Sequence, residues 1–267
     1  MLTAVEIQSA ATRLFTAEQS RNQMGLLSIL HPAMTMDDAY AVQAAFVAHR
    51  LAQGRKTIGW KIGLTSKAMQ SALNITTPDS GILMDDMAFE NGAIIPADRF
   101  IQPRIEAELA FVLKAPLQGP GVTVAEVIAA TDYIIPALEI LDTRILRVDP
   151  ASGKTRTIVD TISDNAANAG IVTGGRAMPP DAFDPRWAGA IVMRNGEVEE
   201  TGLGAGVLNE PALAVAWLAN RLAQYGQRIE AGQIVLSGSF IRPVECRHGD
   251  TILADFGPMG TVSCHFA

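Results

Sequence analysis

Apolar residues recur at helical spacing twice near the start of the chain. Val5, Ala10, Leu14 and Phe15 stand among polar positions between Leu2 and about Met24, and Ala39, Val42 and Phe46 keep the same period after Thr35. A 3.6-residue repeat puts such positions on one face, so both segments read as amphipathic helices. Thr35 suits the start of the second helix because its hydroxyl can accept from an unpaired first-turn N–H, and Gly54 marks the stop. The period then changes. Thr57–Gly63 reads as a strand, Ser66 opens a short helix, and Thr77-Pro78-Asp79-Ser80-Gly81 reads as a turn, because proline presets one dihedral and glycine permits a positive one. Beyond Gly92 strands dominate: Arg104–Leu113, Tyr133–Leu141, a hairpin of Trp187–Arg194 and Glu197–Thr201 about Asn195-Gly196, and the closing runs Gln233–Ser237, Asp250–Phe256 and Thr261–Phe266. Thr123 and Glu126 form the reciprocal pair of a capping box, and Asn209 is placed to cap a last helix running to Gln224 and stopped at Gly226.

The strands do not alternate regularly with helices of about 10 to 15 residues, which disfavours a doubly wound sheet. The expectation is an α+β fold: a mixed, mainly antiparallel roll over residues 57–267 with a helical N-terminal layer over residues 1–56. Gly202-Leu203-Gly204-Ala205-Gly206 follows a hairpin and lacks both GKS/T and the full GxGxxG spacing, so it reads as a flexible loop near a site or interface, not as a nucleotide cradle.

At 267 residues the chain can bury a substantial core, and its 48% hydrophobic and 18% charged content is globular with the slight apolar lean that accompanies subunit interfaces. A net charge of -7, with no Lys/Arg cluster interleaved with aromatics, argues against nucleic acid. The start of the chain lacks a signal-peptide pattern and no apolar run approaches a membrane span, so no membrane partner and a cytoplasmic location are expected. Cys246 and Cys264 form no CxxC pair and read as reduced thiols; His31, His49, His248 and His265 show no metal-ligand spacing.

The candidate chemistry lies in the strands. Glu106 and Glu108 share one face of an apolar strand whose other face carries Ile105, Ala107, Leu109, Phe111 and Leu113, and Glu139 interrupts a second apolar run. Buried carboxylates neutralise, pair with a base or bind a metal. Three such oxygens on rigid strands suit Mg2+ or Mn2+; pairing with arginine, or exposure on a half-solvated sheet, is the alternative.

Four strings in order, Gly59-Trp60-Lys61-Ile62-Gly63-Leu64-Thr65-Ser66-Lys67, Pro103-Arg104-Ile105-Glu106-Ala107-Glu108, Pro136-Ala137-Leu138-Glu139 and Asp160-Thr161-Ile162-Ser163-Asp164-Asn165-Ala166, resemble the fumarylacetoacetate hydrolase superfamily. Within it the chain is similar to the hydratase and decarboxylase branch of aromatic meta-cleavage pathways. The resemblance implies the superfamily's mixed β-sandwich roll, a Mg2+ or Mn2+ on Glu106, Glu108 and Glu139, and Lys61 and Asp79 beside the substrate as acid/base candidates. Burial beside the metal would lower the pKa of Lys61. It also implies a homo-oligomer, with a decamer among the expected sizes.

Hydrolases of this superfamily carry a His paired with a Glu on the short helix after the glycine equivalent to Gly63. Here Ser66-Lys67-Ala68-Met69-Gln70-Ser71 holds neither, which leaves only His31 or His49 to approach from elsewhere. Water addition to a 2-oxo-alkenoate is therefore expected, best a seven-carbon diacid, with Arg144 as the partner of its far carboxylate. The rivals are decarboxylation of a six-carbon 2-oxo-alkenedioate, hydration of a five-carbon monoacid, and a noncatalytic assembly subunit.

Overall fold

A computed structural model describes residues 1–72 and 75–267, with the backbone alone for Ala68, Met69 and Ala72. Helices α1 (Ala4–Ser20), α2 (Leu27–Leu30) and α3 (Met36–Ala52) open the chain. Thr3 caps α1 by accepting from the Glu6 N–H while the Glu6 carboxylate takes the Thr3 N–H at 2.7 Å. Thr35, the predicted cap, repeats the arrangement on α3 with Asp38 as its partner. The buried face of α1 is Ala10, Ala11, Leu14 and Ala17, whereas Val5 is exposed, because the helical period of about 100° per residue puts it on the side opposite Leu14. These residues pack with Leu27, Val42, Phe46 and Ile145, so the helical layer borrows part of its core from the later chain.

The rest forms two sheets. Strands β1 (Thr57–Gly63), β2 (Asp79–Met84), β3 (Ala88–Glu90), β5 (Arg104–Leu113), β6 (Thr131–Leu141), β7 (Asn168–Thr173) and β10 (Ile234–Leu236) lie in the order β2-β1-β10-β5-β6-β7-β3, and β11 (Val244–Glu245) pairs with the start of β5. β1 runs parallel to β10 and β3 to β7; the other neighbours are antiparallel. The second sheet orders β4 (Ala93–Ile95), β13 (Thr261–Phe266), β12 (Thr251–Asp255), β8 (Gly189–Arg194) and β9 (Glu197–Leu203) as β4-β13-β12-β8-β9. One face of the larger sheet carries Trp60, Ile62, Ile105, Leu109 and Phe111 into the main core, where they meet Val192, Ile252 and Val262 of the smaller sheet and Val215 and Leu218 of a long helix (Pro211–Ala223). This mixed α+β roll is the expected fold, and the hairpin turn at Asn195-Gly196 has the two positive φ angles its sequence demands. Both cysteines are free and buried in this core.

Three local expectations change. Asp79, Ser80 and Gly81 open β2 in place of a turn, because each pairs across to β1, at Gly63, Ile62 and Lys61. The last long helix begins at Pro211 with no side-chain cap, and Asn209 sits two residues earlier in a left-handed conformation (φ 68°); proline at the first turn has no N–H to cap. The Gly202–Gly206 segment is a tight junction, not a loose loop: a methyl group at Gly202 would lie 1.9 Å from the Phe240 carbonyl oxygen, and one at Gly204 2.1 Å from that of Pro185. No described helix is long and apolar enough to cross a membrane.

Candidate metal centre and active site

The other face of the larger sheet holds the acidic residues. Glu106 on β5 stands directly opposite Glu139 on β6, and Glu108 follows two residues along on the same face. One oxygen from each of the three lies within 4.8 Å of the others. Around them the face is lined by Leu83, Ala110, Ala137, Ile171 and Leu236, so the carboxylates are set in apolar surroundings. Glu108 and Glu139 are fully buried and Glu106 is partly so.

Lys61 reaches this face from β1, with Nζ 3.5 Å from Glu139 Oε1. Asp79 pairs across from Gly63 and is also buried. A methyl group on Gly63 would lie 2.2 Å from Asp79 Oδ1 and 3.0 Å from Lys61 Nζ. The carboxyl and the ammonium thus share the volume that any other residue at 63 would fill. β2 is the edge strand, and side chains from elsewhere hold it down. Asn165 accepts from the Ile82 N–H at 2.8 Å and donates to the Ile82 carbonyl at 2.9 Å, as a neighbouring strand would. Gln43 on α3 donates to the carbonyls of Ser80 (2.8 Å) and Ile162 (3.0 Å).

Burial pushes Glu106 up to about 8, with Glu139 adding to the effect against the pull of Lys61, and pushes Glu108 well above the ordinary range. Glu139 and Asp79 are likewise raised by burial, each opposed by Lys61. For Lys61 burial alone favours the neutral amine, but Glu139, Asp79, Glu106 and Glu108 outweigh it and hold the ammonium. In the metal-free site the carboxylates thus oppose the lowering expected beside a metal.

Glu108 Oε2 accepts from the Gly238 N–H at 2.8 Å, while Glu108 Oε1, both Glu139 oxygens and Asp79 Oδ1 are buried without a formed hydrogen bond. Convergent hard oxygens without donors fit a divalent cation such as Mg2+ or Mn2+. An arginine does not replace it: none pairs with these three carboxylates among the described residues.

Arg144 is placed elsewhere, which corrects its expected role. It is 2% exposed, its Nε binds Asp164 Oδ1, its Nη2 donates to the carbonyls of Asp164 (2.7 Å) and Asn168 (3.2 Å), and its guanidinium lies over the Phe46 ring. Its donors are engaged by Asp164 and Asn168, and its flat face by Phe46 of the helical layer. Neither alternative histidine joins the site: His31 faces Glu6 at 3.8 Å, and His49 stacks on Phe15 in the helical layer. Two residues that the sequence analysis did not single out are coupled electrostatically to Asp79. Burial and Asp79 push the Tyr40 phenol up, and its hydroxyl is buried without a formed partner; Arg156 favours the ionised form of Asp79. Tyr40 lies on the second predicted helix, and nothing in the spacing along the chain marks it or Arg156.

No family model matches the chain. Among characterised proteins it is 56% identical over 256 residues to 2-oxo-hept-4-ene-1,7-dioate hydratase of Escherichia coli, covering 96% of each chain. The solved structure of 4-oxalocrotonate decarboxylase from Pseudomonas putida G7, complexed with magnesium and adipate, superposes with a TM-score of 0.94 at 36% identity, over 100% of this chain and 99% of that one. Fumarylpyruvate hydrolase from Pseudomonas aeruginosa, in complex with Mn2+ and pyruvate, shares the fold at a TM-score of 0.59 and 12% identity, over 78% of this chain and 88% of that one. With the acidic triad on adjacent strands and whole-chain identity to a characterised relative, this chain belongs to the hydratase and decarboxylase branch of the fumarylacetoacetate hydrolase superfamily.

Proposed function

We propose that the chain is a hydro-lyase of aromatic meta-cleavage catabolism that adds water to 2-oxo-hept-4-ene-1,7-dioate, giving 4-hydroxy-2-oxo-heptane-1,7-dioate, in homoprotocatechuate degradation. The observation that carries the reading is the convergence of Glu106, Glu108 and Glu139 within 4.8 Å, beside a buried Lys61 and Asp79. Identity of 56% to a hydratase of that substrate supports the choice of acid.

Glu106, Glu108 and Glu139 would hold Mg2+ or Mn2+. Such an ion supplies Lewis-acid stabilisation of negative charge developing on the oxygens of a 2-oxo acid. The chain's own residues do the proton work. Lys61, kept charged by its carboxylate neighbours, stabilises the same developing charge by donation from Nζ. Asp79, whose burial raises its affinity for a proton, is suited to carry one between water and substrate carbon. Net addition across C4=C5 places hydroxyl on C4 and hydrogen on C5: a proton leaves C3 and one reaches C5 as the double bond shifts to C3=C4, then hydroxyl adds at C4 and a proton returns to C3. The apolar ring of Leu83, Ala110, Ala137, Ile171 and Leu236 limits bulk water at the reacting chain.

A roll of residues 57–267 under a helical layer of 1–56 serves as the catalytic body in this reading, working in the cytoplasm as a homo-oligomer. Ile191, Val198 and Leu203 lie exposed on the outer face of the smaller sheet near Trp187, which supports assembly through that face.

Decarboxylation of 2-oxo-hex-3-ene-1,6-dioate is a second reading, favoured by the TM-score of 0.94 to a decarboxylase. Turnover of both diacids with Mg2+ in 18O-labelled water separates them. The account expects one labelled hydroxyl in the seven-carbon product; release of carbon dioxide without label incorporation overturns it.

A further inference from the structure

The chain passes from a short helix (Ile158–Ser163) into β7 through a turn that few residues adopt. Asn165, Ala166 and Ala167 hold φ at 52°, 53° and 58°. Asparagine tolerates this left-handed region, but the Cβ of alanine crowds the next carbonyl oxygen there. Consecutive residues of this kind persist only where their surroundings over-determine them.

Arg144 is the main constraint. Its Nη2 donates to the carbonyls of Asp164 (2.7 Å) and Asn168 (3.2 Å), the two residues that bracket the turn. Its Nε binds Asp164 Oδ1, and its backbone N–H donates to Oδ2 of the same carboxylate at 2.9 Å. Nη1 lies 3.9 Å from Glu18 Oε1. Arg144 and Asp164 are both buried, so water does not compete for these bonds. The Asp142 N–H adds a bond to the Ala167 carbonyl at 2.9 Å.

The turn fixes β2. Asn165 bonds both backbone groups of Ile82, and Asn168 Nδ2 donates to the Ile82 carbonyl at 3.0 Å. A methyl group on Gly81 would lie 2.4 Å from the Asn165 carbonyl oxygen, so the strand and the turn meet backbone to backbone. Asp79 stands two residues before Gly81, on the same face of this edge strand.

We infer that Arg144 is a positioning residue for the hydration: by bracketing the left-handed turn it fixes β2, and through β2 the carboxyl of Asp79. The arginine that the sequence offers as a ligand for the far carboxylate serves the same reaction from outside the site. The inference rests on the reading of Asp79 as the proton carrier.

Lysine at 144 keeps a charge for Asp164 but lacks the planar fork that reaches the carboxylate and both carbonyls at once. R144K is expected to lower kcat on 2-oxo-hept-4-ene-1,7-dioate about 10- to 100-fold. Calorimetry should show it binding Mn2+, and 2-oxoheptanedioate, which has no double bond to hydrate, as the intact chain does. Glycine takes positive φ freely, so adding A166G and A167G to R144K should raise kcat about fivefold or more. A residue that served only to fill or neutralise the interior would not be replaced by glycines in the turn. Full kcat in R144K, loss of Mn2+ binding in step with kcat, or a glycine pair that recovers nothing overturns the inference. If R144K does not fold, the glycine-bearing chain is expected to fold and turn over; one that stays unfolded or inactive overturns it as well. D79N separates the two readings. Full kcat in D79N sinks the role of Asp79 and this inference with it, whereas a D79N chain without turnover beside a fully active R144K sinks this inference alone.

Discussion

Lys61 is held as an ammonium by four carboxylates, one of them 3.5 Å away, so removing it takes charge from the reacting end of the site while leaving the acidic triad in place. K61A is expected to lower kcat by about 100- to 10,000-fold and to retain Mn2+ binding; a change confined to KM would exclude it from proton and charge handling. Gly63 offers a sharper probe, because a methyl group there would lie 2.2 Å from Asp79 Oδ1. G63A should displace that carboxyl and cost about 100-fold in turnover, at a melting temperature close to that of the intact chain. Unchanged turnover would place Asp79 outside the chemistry. At this scale the acidic residues were legible because strand alternation puts Glu106 and Glu108 on one face whatever the fold. The charge on Lys61 was not legible, since it depends on which strands become neighbours. Arg144 misled for the same reason: a lone arginine in sequence carries no mark of the aspartate that occupies it.

Among the elements, β2 carries Asp79 from the edge of the sheet and depends on substitutes for a neighbouring strand. Asn165 supplies two hydrogen bonds to Ile82 and Gln43 supplies one to Ser80. N165A should cost about 1 to 2 kcal/mol of stability through the orphaned Ile82 N–H, the Ile82 carbonyl keeping its bond from Asn168 at 3.0 Å, read by denaturant unfolding, and lower kcat as well. Full stability with full activity would show that the strand needs no such support. The N-cap at Thr35, the capping box at Thr123 and the hairpin at Asn195-Gly196 were legible, since their signals are local. The start of β2 was not: Pro78 and Gly81 favour a turn, and only pairing with β1 draws Asp79–Gly81 into a strand. The string from Asp160 to Ala166 had a family signature whose structural work appears only in three dimensions. Asp160 accepts from the Ser28 N–H, Asp164 binds Arg144 and Asn165 binds β2.

Across the whole molecule, the roll sacrifices stability to keep carboxylates together in an apolar setting. Glu106 holds its proton up to about 8, above its ordinary value of 4.5, so between those limits the metal-free folded chain binds more protons than the unfolded one. Stability of the metal-free protein should therefore fall as pH rises from about 4.5 towards 8, followed by thermal unfolding in buffers without divalent ions. Added Mg2+ should restore it most at the upper end, where the ligands are ionised; a metal-free stability that rises through this window would contradict the raised carboxyl. The two-sheet α+β architecture was legible from the mixture of short strands and few helices. Which strands flank the polar cluster follows from long-range pairing and could not be read along the chain.

The most direct test of the account is calorimetric titration of Mn2+ into the metal-free protein near pH 8, repeated in two buffers of different ionisation enthalpy. The account predicts one ion per chain, taken up with release of protons, and loss of that binding in both E108Q and E139Q while the fold persists. No uptake by the intact chain, or uptake of equal strength in the two variants, would contradict it.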